Sequence, residues 1–223
     1  SEKRNPTQII GTVKTYQKIY DMLKSENFNG TILDASSGFG VGTELGKSEY
    51  GYDVDDIEPF PDKSYNPKFT DYSTLNKKYD VIISNAVLNV LPQDLRDALV
   101  IKMGQMLKDG GKLYVNVRGN DVKSNKSNIA IDESNLEYFV SSTGSYQKGF
   151  TKIELNSYLE DALGSDFEVD SSNDFGAVAA VVTKRNDGIK YSLLETDQDR
   201  ENAKLKKKIE KLKEQFKKTP AGK

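Results

Sequence analysis

The 223-residue chain contains no cysteine, no histidine and no tryptophan. Without cysteine there is no disulfide framework, thiolate metal site or cysteine nucleophile. With histidine also missing, zinc sites of the usual kind, Ser-His-Asp hydrolysis and imidazole acid/base chemistry are excluded. Any catalysis must work through carboxylates, lysines, tyrosines, amides or positioning alone. Long apolar runs are lacking too, since none approaches the ~20 residues that span a bilayer. Ser1 to Gln8 are polar and unlike a signal peptide, so the expectation is a cytoplasmic chain with no membrane partner. The net charge of −2 conceals a division: residues 200–223 hold 10 basic residues and 3 glutamates, leaving −9 on the rest.

What is present reads as one α/β domain with appendages, a size at which a chain buries most of its apolar surface. A helical segment occupies residues 1–30, with Val13, Tyr16, Ile19, Tyr20 and Leu23 at spacings of three and four. Residues 31–185 form the main domain. Thr31 to Asp34 is a short apolar run ending in a carboxylate and entering the small-residue turn Ser36-Ser37-Gly38-Phe39-Gly40. Val54 to Phe60 reads as a second strand, with Pro59 ending it and Glu58 at its tip. A weaker strand is placed around Lys68 to Tyr72. Tyr79 to Asn85 has the β-branched character of a strand buried on both faces. Leu95, Leu99, Met103 and Met106 then recur at helical spacing, and Gly110-Gly111 stops that helix before a strand from Lys112 to Arg118.

Residues 119–150 are rich in Asn, Ser, Lys and Gly and too long for a plain connection, which marks a functional insertion. Thr151 and Glu154 have capping-box spacing and open a helix through Leu163. Phe167 to Asp170 and Ala177 to Thr183 follow as a closing pair of strands. Residues 186–223 are a charged linker and basic tail, in which Leu205, Ile209, Leu212 and Phe216 lie on a short seam. The expected fold is therefore doubly wound: a mostly parallel seven-stranded sheet with a closing antiparallel hairpin and helices on both faces. In such sheets ligands sit at the carboxyl ends of the strands.

The run Asp34-Ala-Ser-Ser-Gly-Phe-Gly40 after an apolar strand resembles the acidic-then-glycine signature of class I methyltransferases that use S-adenosylmethionine (SAM). Glu58, Asp71, Tyr79 to Asn85 and Leu107-Lys-Asp-Gly-Gly-Lys-Leu113 follow in that superfamily's order, the last resembling its L-K-x-G-G turn. Ser36 stands where the signature has its first glycine. The resemblance implies a SAM pocket of Asp34, Ser36, Gly38, Gly40, Glu58, Asp71, Tyr72 and Asn85. In it Glu58 takes the ribose hydroxyls and Asp71 the adenine amino group, with Tyr72 packing on the ring. A second resemblance, of Lys190-Tyr-Ser-Leu193 and the charged stretch after it, is to joints in polyvalent proteins of phages and conjugative elements, implying a mobile-element module.

The resemblance implies an enzyme that moves a methyl group from SAM to an unidentified small molecule or macromolecule. Such transfer needs an in-line nucleophile at close range, because the cofactor carries the reactive group. Asn85 and Asn89 can orient an amine or hydroxyl, and Arg118 a carboxylate or phosphate; a turn cap and a surface ion pair explain the same residues. Asn85-Ala-Val-Leu88 lacks the motif of amino-methylating DNA enzymes, and the cytosine C5 reaction needs a cysteine. Tyr146 and Phe150 are read either as parts of a lid or as docked side chains. The rival function is an inactive scaffold whose basic tail contacts nucleic acid or a partner helix. Lys3, Arg4, Lys14, Tyr16 and Lys18 offer a further basic and aromatic set. A nicotinamide oxidoreductase fits less well, because Thr43 stands at the third glycine of G-x-G-x-x-G.

Overall fold

The computed structural model describes residues 6–132, 135–142, 144–186 and Leu205. Ser1 to Arg185 make one compact unit and residues 186–223 a separate one. The basic tail, the Lys190–Leu193 junction, and Lys3 and Arg4 lie outside the described residues.

The chain runs α1 (Pro6–Ser25), β1 (Thr31–Ala35), α2 (Val41–Ser48), β2 (Asp53–Ile57), β3 (Tyr79–Asn85), α3 (Gln93–Met106) and β4 (Leu107–Asn116). The insertion holds α4 (Asp121–Ser124), β5 (Ile129–Asp132), β6 (Asn135–Val140) and β7 (Tyr146–Lys148). After it come α5 (Lys152–Leu163), β8 (Phe167–Ser172) and β9 (Ala179–Lys184). The main sheet has six strands in the order β2-β1-β3-β4-β9-β8. Its first four are parallel, and β9 runs antiparallel to both β4 and β8.

Period-two alternation assigns each strand residue to a layer. Ile32, Val81, Ile83 and Tyr114 face Tyr16, Ile19, Tyr20 and Leu23 of α1, with Leu45 of α2 at the edge. Leu33, Ile82, Leu113 and Val115 face Leu99, Val100 and Met103 of α3 and Leu155 and Leu159 of α5. Ile32, Leu33, Ile82 and Ile83 are wholly buried, and each contributes roughly 1.5–3 kcal/mol by leaving water. The capping box opening α5 is present: the Thr151 hydroxyl accepts from the Glu154 amide, and Glu154 accepts from the Thr151 amide.

Four expectations change. The strand expected around Lys68 to Tyr72 shrinks to one parallel bridge between Ile57 and Phe69, so the main sheet has six strands and not seven. Pro67 has no amide hydrogen to offer, and Asp71 caps a 3-10 turn at Tyr72–Thr74 that bends the chain away. The insertion, for which no strands were expected, holds a three-stranded antiparallel sheet, β5-β6-β7. On α3, Leu99, Met103 and Met106 are buried as expected, but Leu95 is 55% exposed and Arg96, at 3%, takes its place at the start of the buried face. Tyr16 is buried in α1's inner face and is no part of a surface basic patch. Among the described residues, no helix is long and apolar enough to cross a membrane, and no cluster of acidic side chains could hold a metal ion.

Candidate functional site

At the carboxyl end of β1 the chain turns sharply. Ser36 (φ 59°), Gly38 (φ 62°) and Gly40 (φ 72°) all take the left-handed conformation. That region is easy for glycine and strained for other residues. Ser36 therefore adopts the backbone a glycine would take, and its hydroxyl is 2.9 Å from the Tyr72 hydroxyl. At Gly40 a Cβ would fall 2.3 Å from the Tyr65 ring, so a side chain there would have to displace that ring as well as bear the left-handed backbone.

Carboxylates surround this loop. Glu58 accepts from the Gly38 amide at 2.7 Å through Oε2 and from the Phe60 amide at 3.1 Å through Oε1. Each oxygen keeps a lone pair. Asp56 is buried and accepts from Ser37 Oγ (3.1 Å), the Lys68 amide (3.0 Å) and the Tyr65 hydroxyl. Asp55 points to the other face, where Lys68, Lys77 (2.8 Å) and Tyr79 (2.8 Å) bind it. Burial works against its ionisation, but those three donors prevail and hold its carboxyl below the usual range.

Asp34 has no exposed surface. It accepts from the Tyr16 hydroxyl at 2.6 Å and from Thr43 Oγ1 at 2.8 Å. Burial pushes its carboxyl up to about 6; the two hydroxyl donors oppose this, and Asp56 and Glu58 add to it. Sequence reasoning expected Asp34 to line the pocket, whereas it braces the loop from behind with both oxygens committed. Asp71 is exposed and accepts from the amide and hydroxyl of Ser73, both on Oδ1. The Ser73 hydroxyl foremost, then its amide, holds that carboxyl below the usual range. Tyr72 packs on the sheet core and touches Ser36.

The turn after β3 forms a second cluster. Asn116 at the end of β4 donates to Asn85 Oδ1 at 2.8 Å. Gly176 passes over that amide so closely that a Cβ there would lie 2.0 Å from Asn116 Oδ1. Ala86 takes φ 57° and leads into a 3-10 turn at Leu88–Val90, which β7 packs against. Asn89 in that turn is 2% exposed, and its Oδ1 has no hydrogen-bond partner; neither have Ser84 Oγ and Gln147 Oε1, both buried atoms.

Arg96 closes this turn. Its Nε donates to Leu88 O (3.2 Å) and its Nη2 to Leu91 O (3.1 Å), while its guanidinium carbon lies 5.2 Å from the Phe150 ring centre. Phe150 is buried in the core, so of the two readings of that side chain the docked one holds. Lys148 is also buried, bonded to Glu137 (2.5 Å) and facing the Phe150 ring at 4.8 Å. Arg118 pairs with Asp121 at the surface and stands apart from the Asn85 and Asn89 cluster in its bonding. Sequence reasoning missed Tyr16, Tyr65, Arg96 and Asn116. Only Tyr16 left a trace, as a member of the α1 apolar stripe and, wrongly, of a basic and aromatic surface set.

The loop, the tip of β2 and the turn after β3 thus meet at the carboxyl ends of adjacent parallel strands, the crevice where α/β sheets take ligands. The residues fit SAM in two respects. Ser36 reproduces the glycine backbone of the signature, and Glu58 retains lone pairs on both oxygens for a pair of hydroxyls.

No family model and no curated protein matches the chain. Solved structures do match in fold. PH0226 from Pyrococcus horikoshii aligns with TM-score 0.60 at 16% identity, covering 82% of this chain and 92% of its own. The 1,6-didemethyltoxoflavin-N1-methyltransferase of Burkholderia thailandensis, with bound S-adenosylhomocysteine (SAH), aligns with TM-score 0.55 at 15% identity, over 84% and 93%. CalS10 of Micromonospora echinaspora, an amino pentose methyltransferase with bound SAM, aligns with TM-score 0.54 at 14% identity, over 82% and 99%.

Proposed function

Because the chain shares its fold with SAM-dependent methyltransferases, we propose that it is itself one, an enzyme that binds SAM in the crevice beside Glu58. The observation that carries this reading is the carboxylate of Glu58, poised at the tip of β2 and fastened to the Gly38 amide at 2.7 Å. SAM, when bound, supplies an electrophilic methyl group on its sulfonium, so the protein's task is to bind, orient and exclude water.

Glu58 accepts the two ribose hydroxyls through its spare lone pairs. The loop from Ser36 to Gly40 lies against the amino-acid part of the cofactor, and the first amides of α2 meet its carboxylate. Asp71 uses its Oδ2 for the adenine amino group, since Ser73 occupies Oδ1. Tyr72 flanks the ring. Asn85, fixed by Asn116, bounds the crevice toward the acceptor, and Asn89 is the group that orients the acceptor. Arg118, tied to Asp121, has the lesser role of charge at the rim.

SAM carrying a 13C-labelled methyl group tests the reading by NMR. Addition of the protein is expected to broaden and shift the methyl resonance, and SAH is expected to restore it. A methyl signal unchanged by stoichiometric protein would refute the proposal.

A further inference from the structure

We propose that Tyr16 of α1 is a positioning residue for the cofactor loop, holding Asp34 and, through Asp34 and Thr43, the start of α2 in the arrangement that receives SAM. This rests on the SAM reading above and names a residue outside the glycine loop on which that reading depends.

The geometry begins with two glycines. Gly42 and Gly46 of α2 are buried, one turn apart, facing Tyr16 and Tyr20 at the same spacing on α1. A Cβ at Gly42 would lie 2.3 Å from the Tyr16 ring, and one at Gly46 would lie 2.7 Å from the Tyr20 ring. Their absence lets α1 approach until Tyr20 donates to the Gly42 carbonyl at 2.8 Å. The same approach carries the Tyr16 hydroxyl beneath the loop to Asp34 Oδ1 at 2.6 Å. Thr43, between the two glycines, donates to the other oxygen. A single buried carboxylate therefore joins α1, β1 and α2 at the base of the loop.

Hydroxyl donors, not a cation, hold this carboxylate. The groups acting on it are Tyr16 from α1, Thr43 from α2, and Asp56 and Glu58 from β2 and its tip, both of like charge. Asp34 acts in turn on Tyr20 of α1 and on Tyr72 of the 3-10 turn. The Tyr16 phenol is itself held well above its ordinary range by burial and by Asp34, so it remains a donor. SAM brings a sulfonium and an ammonium to the loop, and nearby positive charge favours the ionised form of Asp34. By reciprocity, protonating Asp34 weakens SAM. Affinity is thus expected to fall as pH drops through about 6. Replacing Tyr16 by phenylalanine removes one of the two donors and makes the ionised form harder to keep. The acid limb then moves upward by about one pH unit.

Two measurements on native protein and Tyr16→Phe test this: calorimetric titration with SAM from pH 5 to 8, and a 13C carboxyl titration of Asp34 without cofactor, assigned with Asp34→Asn. The expected result is a native SAM affinity that falls severalfold, and by no more than about tenfold, toward pH 5. In Tyr16→Phe both the affinity limb and the Asp34 midpoint rise together. Should Tyr16→Phe fail to fold, Thr43→Val serves in its place, with Thr43→Ser expected to restore the native limb. A tyrosine that merely packs would change stability and leave the limb where it was. SAM binding at pH 8 with a flat profile to pH 5, or an unmoved limb in the variant, overturns the inference alone. No SAM binding by native protein at any pH overturns the SAM reading and this inference with it.

Discussion

Around the loop after β1, Asp34, Ser36, Ser37, Asp56 and Glu58 all have hydrogen-bond partners, several of them at 2.6–2.9 Å. Around the turn after β3, Ser84 Oγ, Asn89 Oδ1 and Gln147 Oε1 are buried without any. A buried acceptor left unpaired costs about 1–3 kcal/mol. The first region is therefore built for rigidity before a ligand arrives, whereas the second bears an unmet demand for donors. A cofactor common to every turnover suits the rigid half, and an acceptor molecule that supplies hydrogen-bond donors suits the other.

The sharpest way to break this comparison is Arg96→Ala. The guanidinium is what orders the turn after β3, and its removal leaves the Leu88 and Leu91 carbonyls without their donor. A loss of about 3 kcal/mol is expected, read as a lower midpoint in urea at unchanged slope. An effect below 1 kcal/mol would mean that the turn is held by other means.

At the loop after β1, stability should depend on pH through Asp34. Its folded carboxyl titrates near 6 and its ordinary value is 3.8, so between those limits the folded protein keeps a proton the unfolded chain has lost. The sign follows: this contribution to stability declines as pH rises from about 4 to about 6, by up to about 3 kcal/mol. Asp34→Asn should abolish that slope and raise the thermal midpoint at pH 7.5 while weakening SAM. Thermal melts across the window check it, and an unchanged slope would contradict the burial argument.

Asn89→Leu should sharpen the contrast from the other direction. Removing an acceptor with no partner is expected to leave stability unchanged or raise it by about 1 kcal/mol. Ser37→Ala, which strips a donor from buried Asp56, should cost about 1 kcal/mol. Denaturant midpoints that reverse this order would overturn the comparison. The smallest effect is expected at Asp71→Ala. That residue is fully exposed and caps a single short turn, so the change in thermal midpoint should stay within about one degree.

Much of the fold is legible because it follows from local pattern. Ile32 and Leu33, or Ile82 and Ile83, alternate between two buried faces, and Thr151 with Glu154 marks a helix start to the residue. Glu58 is findable because Pro59 ends the strand just after it. The third strand misleads because Lys68 to Tyr72 has one apolar residue inside it, Phe69, and that residue makes the single surviving bridge. The insertion's sheet is hidden because its strands are only three to six residues long, too short for the alternation of Ile129 and Ile131 to stand out amid Asn and Ser. Arg96 and Tyr16 illustrate a different limit. Each is a polar group buried by partners distant in sequence or by its own turn's carbonyls, and no spacing rule encodes such contacts.

The proposed role of the crevice beside Glu58 is to bind SAM. Calorimetric titration of SAM into native protein and Glu58→Ala at pH 8 tests it most directly. One site per chain is expected in the native protein, with affinity reduced roughly a hundredfold in the variant, about the worth of two hydrogen bonds at the low end for a charged group. Equal affinity in the two proteins, or no heat in either, would contradict it.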